Sequence, residues 1–278
     1  MTTLAEARRW FAADLAAVAP VRDDPRVTRA FATVPREAFL GPGPWDLHSR
    51  LDIGRTIPTP DADPRHLCHD VLVSIDAASG INNGLPSLWA MVFDALGIAP
   101  GSRVLQIGAG VGYYTAILAE LAGPGGHVTA HEIEAPLAAR AARALAPWPQ
   151  ARVVAGDATA DSGPGPFDVI LACAGVTHVP PRWLAALAPG GRMMLPLTGA
   201  SGWGILMQLT RQGDNLPLRS LGPCGFYPCH GARHDDEAGA LTAAFASGRR
   251  PGAYRTDAPP TDPAAAWVTG RSHWIAAA

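Results

Sequence analysis

Arg103-Val-Leu-Gln-Ile107, followed without a break by Gly108-Ala-Gly-Val-Gly112 and then by Tyr113-Tyr-Thr-Ala-Ile-Leu-Ala-Glu-Leu121, decides how this chain is read. The first five residues have the short apolar pattern of a buried strand, and Tyr114–Leu121 has the spacing of a helix, so the glycines sit in a strand-loop-helix. Outward from it the same alternation continues. Pro86–Leu96 reads as a helix stopped at Gly97, Val128–Glu132 as a strand, Pro136–Leu145 as a helix, Arg152–Ala155 and Phe167–Ala172 as strands, Arg182–Leu187 as a helix and Arg192–Pro196 as a strand. Helices between strands at this spacing specify a doubly wound α/β fold around a mostly parallel, seven-stranded, Rossmann-like sheet. Ile205–Arg211 and Leu216–Leu221, flanking Gln-Gly-Asp-Asn, complete one edge as a hairpin.

Ahead of this core, the apolar spacing predicts a helix over residues 4–18, and Asp-Asp-Pro introduces a second over Asp24–Thr33. Residues 41–64 read as irregular surface structure and Val71–Ile75 as a short strand. Beyond the core, Asp235–Ala246 reads as a helix and Arg249–Pro263 as a surface tail at best. The expected organisation is an N-terminal helical and irregular cap (1–80), a core (81–228) and a C-terminal extension (229–278).

Composition narrows the classes. With 48% hydrophobic and 17% charged residues, the 278-residue chain can bury a core. A formal charge of −2 supplies no basic field, so a nucleic-acid partner is not expected. All 22 basic residues are Arg, which excludes a Gly-Lys-Ser/Thr phosphate loop and a Schiff-base lysine. Cys68, Cys173, Cys224 and Cys229 are too few for a disulfide scaffold, and the opening Met-Thr-Thr-Leu-Ala-Glu lacks a signal-peptide pattern, so a cytoplasmic location is expected. No apolar run reaches the roughly 18–20 residues that cross a bilayer, and no membrane partner is expected.

The glycine loop lets a ligand approach the main chain, and the helix start offers unpaired N–H groups. A dinucleotide fingerprint would place its third glycine at position 113, which is Tyr113, and that argues against a nicotinamide oxidoreductase. The pattern G-x-G-x-G resembles the first motif of class I S-adenosylmethionine-dependent methyltransferases. That resemblance implies S-adenosylmethionine as cofactor, a ribose contact for Glu132 at the end of the second strand, and an adenine contact for Asp157 in Gly156-Asp157-Ala158. Cofactor contacts are expected from Gly108, Ala109, Gly110, Gly112 and Tyr113, and from Glu132, Ile133, Asp157 and Ala158.

Further stretches narrow the likeness. Asp24-Pro-Arg-Val, Val34-Pro-Arg-Glu-Ala-Phe39, Pro100-Gly-Ser-Arg-Val-Leu, Val179-Pro-Pro, Pro189-Gly-Gly-Arg192 and Gly222-Pro resemble protein-L-isoaspartate O-methyltransferases over roughly residues 24–228. The resemblance implies methyl transfer to a carboxylate on a peptide or small molecule. It breaks where the family carries Gly-Gln-Thr-Ile-Ser-Gln-Pro: here Gly80-Ile-Asn-Asn-Gly-Leu-Pro86 puts Asn82 at the threonine and Gly84 at the serine.

A carboxylate acceptor is already ionised at pH 7 and needs no base, whereas an alcohol or amine would call on His178 or His230. His178, Asn82 and Asn83 are the catalytic candidates. Against these stand a loop histidine bonded to backbone and ordinary Asn-Asn-Gly turn chemistry. Tyr227, His230 and Arg233 are candidates to line the acceptor pocket, Arg233 by pairing with a carboxylate. The alternative for this segment is zinc on Cys224-x4-Cys229-His230-x3-His234, but Tyr227 and Pro228 interrupt it and a hairpin needs no metal, so none is expected. Other readings are a different acceptor, a non-methylating reaction of the same cofactor, and a nucleoside-binding protein without turnover. A homodimer is also admitted.

Overall fold

The computed structural model describes residues 2–19, 21–49, 55–76 and 80–278. Helix α1 (Leu4–Val18) opens with a reciprocal cap: the Thr3 hydroxyl accepts from the Glu6 amide at 3.2 Å, and the Glu6 carboxylate accepts from the Thr3 amide at 2.7 Å. Helix α2 (Pro25–Thr33) starts at Asp24, whose side chain accepts from the Arg26 amide, with Pro25 in the first turn where its missing N–H costs nothing. A one-turn helix α3 (Glu37–Leu40) follows. Strands β1 (Asp46–His48), β2 (Thr56–Pro58), β3 (Leu72–Asp76) and β4 (Ile81–Asn82) form a small sheet in the order β2-β1-β3-β4. The expectation of irregular structure over 41–64 missed β1 and β2, because strands of three residues are too short to show an alternation; residues 50–54 lie outside the described residues.

The alternating elements follow as α4 (Pro86–Leu96), β5 (Arg103–Ile107), α5 (Tyr113–Ala122), β6 (His127–Glu132), α6 (Ala135–Ala144), β7 (Ala151–Ala155), β8 (Phe167–Ala172), α7 (Pro181–Ala186) and β9 (Leu187–Thr198). After them come β10 (Trp203–Thr210), β11 (Leu216–Gly225), α8 (Asp235–Ala246), β12 (Pro251–Arg255), β13 (Ala266–Thr269) and β14 (Trp274–Ala277). The doubly wound α/β reading stands, but the sheet is larger and more mixed than expected. It has ten strands in the order β13-β14-β12-β11-β10-β9-β8-β5-β6-β7. Strand β8 pairs in parallel with β5 and β9, while the run from β9 through β10, β11, β12 and β14 to β13 is antiparallel.

Of the additional strands, β12 lies in the segment Arg249–Pro263 that was read as a surface tail, and β13 and β14 lie beyond it, where no element was assigned. Tyr254, Trp267 and Ile275 belong to the main core, and the Tyr254 hydroxyl accepts from the Val179 amide at 3.0 Å. Single aromatics among Pro, Gly and Arg gave no period, yet each buries enough apolar surface to hold a short strand. Strand β9 also starts earlier than expected, because the register against β8 jumps between Phe167↔Leu187 and Val169↔Arg192, and Pro189-Gly-Gly191 occupies the extra length.

Two compact units result: Met1–Gly101 with Ala109–Val128 and Glu134–Val154, and Ser102–Gly108 with Thr129–Ile133 and Ala155–Ala278. In the first, Phe31 meets Phe11, Phe93, Tyr113 and Tyr114 at ring separations of 6.3–6.4 Å. Asp94, on α4, accepts the backbone N–H groups of Arg22, Asp23 and Asp24 at 3.1, 3.2 and 2.8 Å, fixing the entry to α2. The second unit is the sheet core, with Leu105, Ile170, Trp183, Leu195 and Ile275 at its centre. Asp94→Ala is expected to lower stability by about 2–3 kcal/mol, since it leaves N–H donors without their charged acceptor; a urea midpoint equal to wild type contradicts the assignment.

Candidate active site

The carboxyl ends of the strands in the second unit are tied to one another by main-chain hydrogen bonds. The Gly108 amide donates to His131 O at 2.8 Å, Gly156 N to Glu132 O at 2.9 Å, and Cys173 N to Ile107 O at 2.8 Å. This ladder brings the exits of β5, β6, β7 and β8 side by side, on the edge where open α/β sheets bind ligands. Glu132 is thereby held at the rim, 7% exposed, with Ile133 half-open to solvent beside it.

Asp157 follows in an Asx turn: its Oδ1 accepts from the Thr159 amide at 2.8 Å and hydroxyl at 2.7 Å, while Oδ2 lies 3.3 Å from His230 Nδ1. Burial raises the Asp157 carboxyl, but the Thr159 donors and His230 outweigh it and leave the group below the ordinary carboxylate range. Ala158 is buried and its carbonyl accepts from Trp183 Nε1 at 2.9 Å, so the turn is anchored from below. Two carboxylates at adjacent strand ends can accept hydroxyl and amino protons, the donor pattern of a nucleoside.

The loop itself has left-handed glycines at Gly108 (φ +84°), Gly110 (φ +57°) and Gly112 (φ +92°). At Gly112, which caps α5, a Cβ would stand 3.2 Å from Ala141 Cβ and Leu145 Cδ1, so the absent side chain lets the start of α5 lie against α6. Tyr113 points its side chain away from the loop. Its ring turns into the helical cluster, 5.8 Å from Phe39 and with the Arg36 guanidinium 5.7 Å from its centroid. Burial pushes its phenol far up, and only its main chain is left for a ligand.

In the first unit Asn82 Oδ1 accepts from the Gly84 amide at 2.8 Å, which is the turn chemistry that competed with a catalytic role. The Asn83 amide donates to Val73 O at 2.8 Å, and its buried Nδ2 has no acceptor among the described residues. Gly84 has φ +68°, and a Cβ there would lie 2.7 Å from Nε1 of the buried Trp89. The serine that the family resemblance places here has no room.

After β8 the chain zips against the segment beyond β11: Gly175 N donates to Tyr227 O at 2.7 Å, Cys229 N to Gly175 O at 2.8 Å and Thr177 N to Ala232 O at 3.0 Å. Tyr227 is 55% exposed. Arg233 is not left for a carboxylate: its guanidinium donates to Thr198 Oγ1 at 2.8 Å, to Thr198 O at 3.2 Å and to Gly199 O, all at the end of β9. The thiols of Cys173, Cys224 and Cys229 are pushed up to about 12 by burial, so they are neutral at pH 7.

His178 is buried, and its Nδ1 lies 2.9 Å from Glu237 Oε2. Glu237 also accepts from Thr177 Oγ1 at 2.7 Å and from the Arg271 amide at 3.0 Å, and the His178 ring stacks on His234 at 4.7 Å. Burial raises the Glu237 carboxyl, yet the Arg271 amide, the Thr177 hydroxyl and His178 bring it below its usual range; burial, joined by His178 and opposed by Glu237, takes the His273 imidazole down to about 4. Sequence reasoning passed over Glu237 because Asp235-Asp236-Glu237 looks like the acidic first turn of any helix, and nothing in a linear reading joins it to a histidine 59 residues away.

A Rossmann-like sheet, a glycine loop opening a helix and carboxylates at the next strand ends define a class I S-adenosylmethionine-dependent methyltransferase. The family model for protein-L-isoaspartate(D-aspartate) O-methyltransferase matches residues 18–233, and the chain belongs to that family. A protein-L-isoaspartate O-methyltransferase 1 of Anaeromyxobacter sp. (strain Fw109-5) is 35% identical over 214 residues, covering 75% of this chain and 90% of the relative. One of Rhodopseudomonas palustris (strain HaA2) is 33% identical over 258 residues, covering 91% and 94%. In fold, the chain matches a solved protein-L-isoaspartate O-methyltransferase with a TM-score of 0.67 at 23% identity, covering 88% of this chain and 71% of that one. A putative homologue from Plasmodium falciparum, in complex with S-adenosyl-L-homocysteine, gives 0.62 at 17% identity, covering 80% and 97%. The chain is thus an enzyme of the methyltransferase class that uses S-adenosylmethionine. None of its described helices is long and apolar enough to cross a membrane.

Gly84→Ser, which restores the family's hydroxyl, is expected to lower stability by about 1–3 kcal/mol through a left-handed non-glycine residue pressed on Trp89. Thermal melting checks it: a variant as stable as wild type removes the steric account.

Proposed function

We propose that this enzyme methylates a carboxylate of an isoaspartyl residue in a peptide, the acceptor carried in its relatives' names, and that Glu132 and Asp157 fasten the nucleoside of its cofactor. What supports the reading is the hydrogen-bonded ladder of strand ends, in which the exit carrying Glu132 neighbours Gly108 and the turn carrying Asp157 neighbours Glu132. Glu132 accepts from the ribose hydroxyls, the Asp157–Ala158 turn faces the adenine, Ile133 covers it, and the backbone of Gly108, Ala109, Gly110 and Gly112 serves the remainder. When bound, S-adenosylmethionine supplies an electrophilic methyl group on a sulfonium.

An acceptor carboxylate is an anion at pH 7, so the chain's task is to orient it and keep water away rather than to remove a proton. The open Nδ2 donors of Asn83 suit that carboxylate. The wall at Gly84 favours a second reading, in which a peptide or small molecule carries a carboxylate other than isoaspartyl, because no hydroxyl can stand where the family has its serine.

Incubation with a methyl-labelled donor separates the two. An isoaspartyl peptide should gain label released as methanol by mild base, and an aspartyl peptide should not; label on neither, with label on another carboxylic acid, selects the second reading. Calorimetry should show S-adenosylhomocysteine binding and no NAD binding. Glu132→Ala should weaken S-adenosylhomocysteine by about 1–3 kcal/mol, the cost of leaving the ribose donors unmatched; unchanged affinity removes Glu132 from the site.

A further inference from the structure

Apart from the cofactor edge, one cluster in the second unit gathers chemistry that methyl transfer does not use. His178, from the loop after β8, meets His234 and Glu237 at the start of α8, with one donor atom from each lying within 4.8 Å of the others. His234 and Glu237 are three apart at a helix start, the spacing that turns two side chains to one side. His273, in the turn before β14, is 5% exposed, and its Nδ1 has no hydrogen-bond partner among the described residues although it stands 3.8 Å from Glu237 Oε1.

The charge balance of the cluster is incomplete. Glu237 is a buried carboxylate, and its ion-pair partners among the described residues are only the imidazoles of His178 and His273. The nearby Arg271 acts on Glu237 only from a distance: its guanidinium pairs with Asp236 on the surface and lies 3.4 Å from His234 Nδ1, leaving that ring its other nitrogen for an ion, and only its main-chain N–H bonds the Glu237 carboxylate. A buried anion without a fixed positive partner is costly to hold. Nitrogen donors grouped around such an anion meet the requirement of a divalent cation.

We infer that His178, His234 and Glu237 form a binding site for a single borderline divalent metal ion of the zinc type, with His273 beside them as a fourth donor. Two imidazole nitrogens and one carboxylate oxygen match zinc, cobalt and nickel, whereas calcium and magnesium call for oxygen donors. The surroundings suit it as well. Thr177 Oγ1 and the Arg271 amide already hold the carboxylate in place, as groups behind a metal ligand do. His234 is the half-buried member, through which an ion can enter. Ligand bonds of about 2.0–2.1 Å require the donors to close by roughly an ångström, with the stacked His178 and His234 rings splaying apart to do so.

Such an ion would fasten the loop after β8, the start of α8 and the chain before β14 at a single point. It shares only His234 with the Cys224-x4-Cys229-His230-x3-His234 grouping weighed from the sequence, since His230 faces Asp157 instead. The inference is independent of the acceptor and of the cofactor contacts.

The test uses the full chain, stripped with a chelator and titrated with Zn2+ and Co2+. Expected are one equivalent of metal per chain, visible d–d bands of four-coordinate cobalt, a raised Tm with either ion, and no such response to Mg2+ or Ca2+. His234→Ala should weaken uptake at least tenfold and abolish the Tm shift, while His230→Ala retains both. Absence of stoichiometric uptake by the wild type overturns the inference, as does uptake unchanged in His234→Ala. X-ray absorption of the wild-type zinc form needs no variant: nitrogen and oxygen ligation alone supports the site, and sulfur ligation assigns the metal to the cysteines and overturns it.

Discussion

Main-chain hydrogen bonds between neighbouring strand exits are the constraint on which the rest of the second unit depends. Gly108 to His131, Gly156 to Glu132 and Cys173 to Ile107 each involve a residue just past the end of a strand, so the sheet ladder continues into the loops. A loop tied in this way has its backbone polar groups satisfied and its direction fixed. Glu132 and Asp157 therefore present their carboxylates from a rigid base, as a site that works by positioning requires.

The antiparallel half of the sheet performs a second task. Strands β10 and β11 continue into the segment 227–232, which lies along the loop after β8 and pairs with Gly175 and Thr177. Arg233 then secures the turn after β9, and α8 brings Glu237 beneath His178. The C-terminal residues do not merely trail the core. They line the loop nearest the ligand edge and bury its histidine.

Much of this was legible in the sequence, for reasons that differ by element. Helices α2, α4 and α8 announce themselves through Pro at the first turn, a left-handed Gly at the end, or an acidic first turn, all of which are local. Strands β5 and β8 are short, mostly apolar runs, and the glycine loop lies between β5 and α5 where the motif demands. Strands β12 to β14 were hidden because long-range burial of Tyr254, Trp267 and Ile275 makes them strands, not their own alternation. The positions of Glu132 and Asp157 at or just past strand ends could be read, because the strands before them could. Tyr113 and Arg233 could not, since the direction of a side chain depends on what packs around it: an aromatic cluster took the first and bare carbonyls the second. The His178–Glu237 pair joins residues remote in the chain and carries no linear signature.

The burial of Tyr113 also bears on how this enzyme can diversify. Its ring sits among Phe31, Phe39 and Arg36 of the N-terminal segment, yet its own backbone is the first residue after the glycine loop. The cap is therefore no interchangeable cassette laid over a finished nucleotide fold. Grafting a foreign cap would disturb the same turn that closes the glycine loop, so the cap and the loop are inherited as one package.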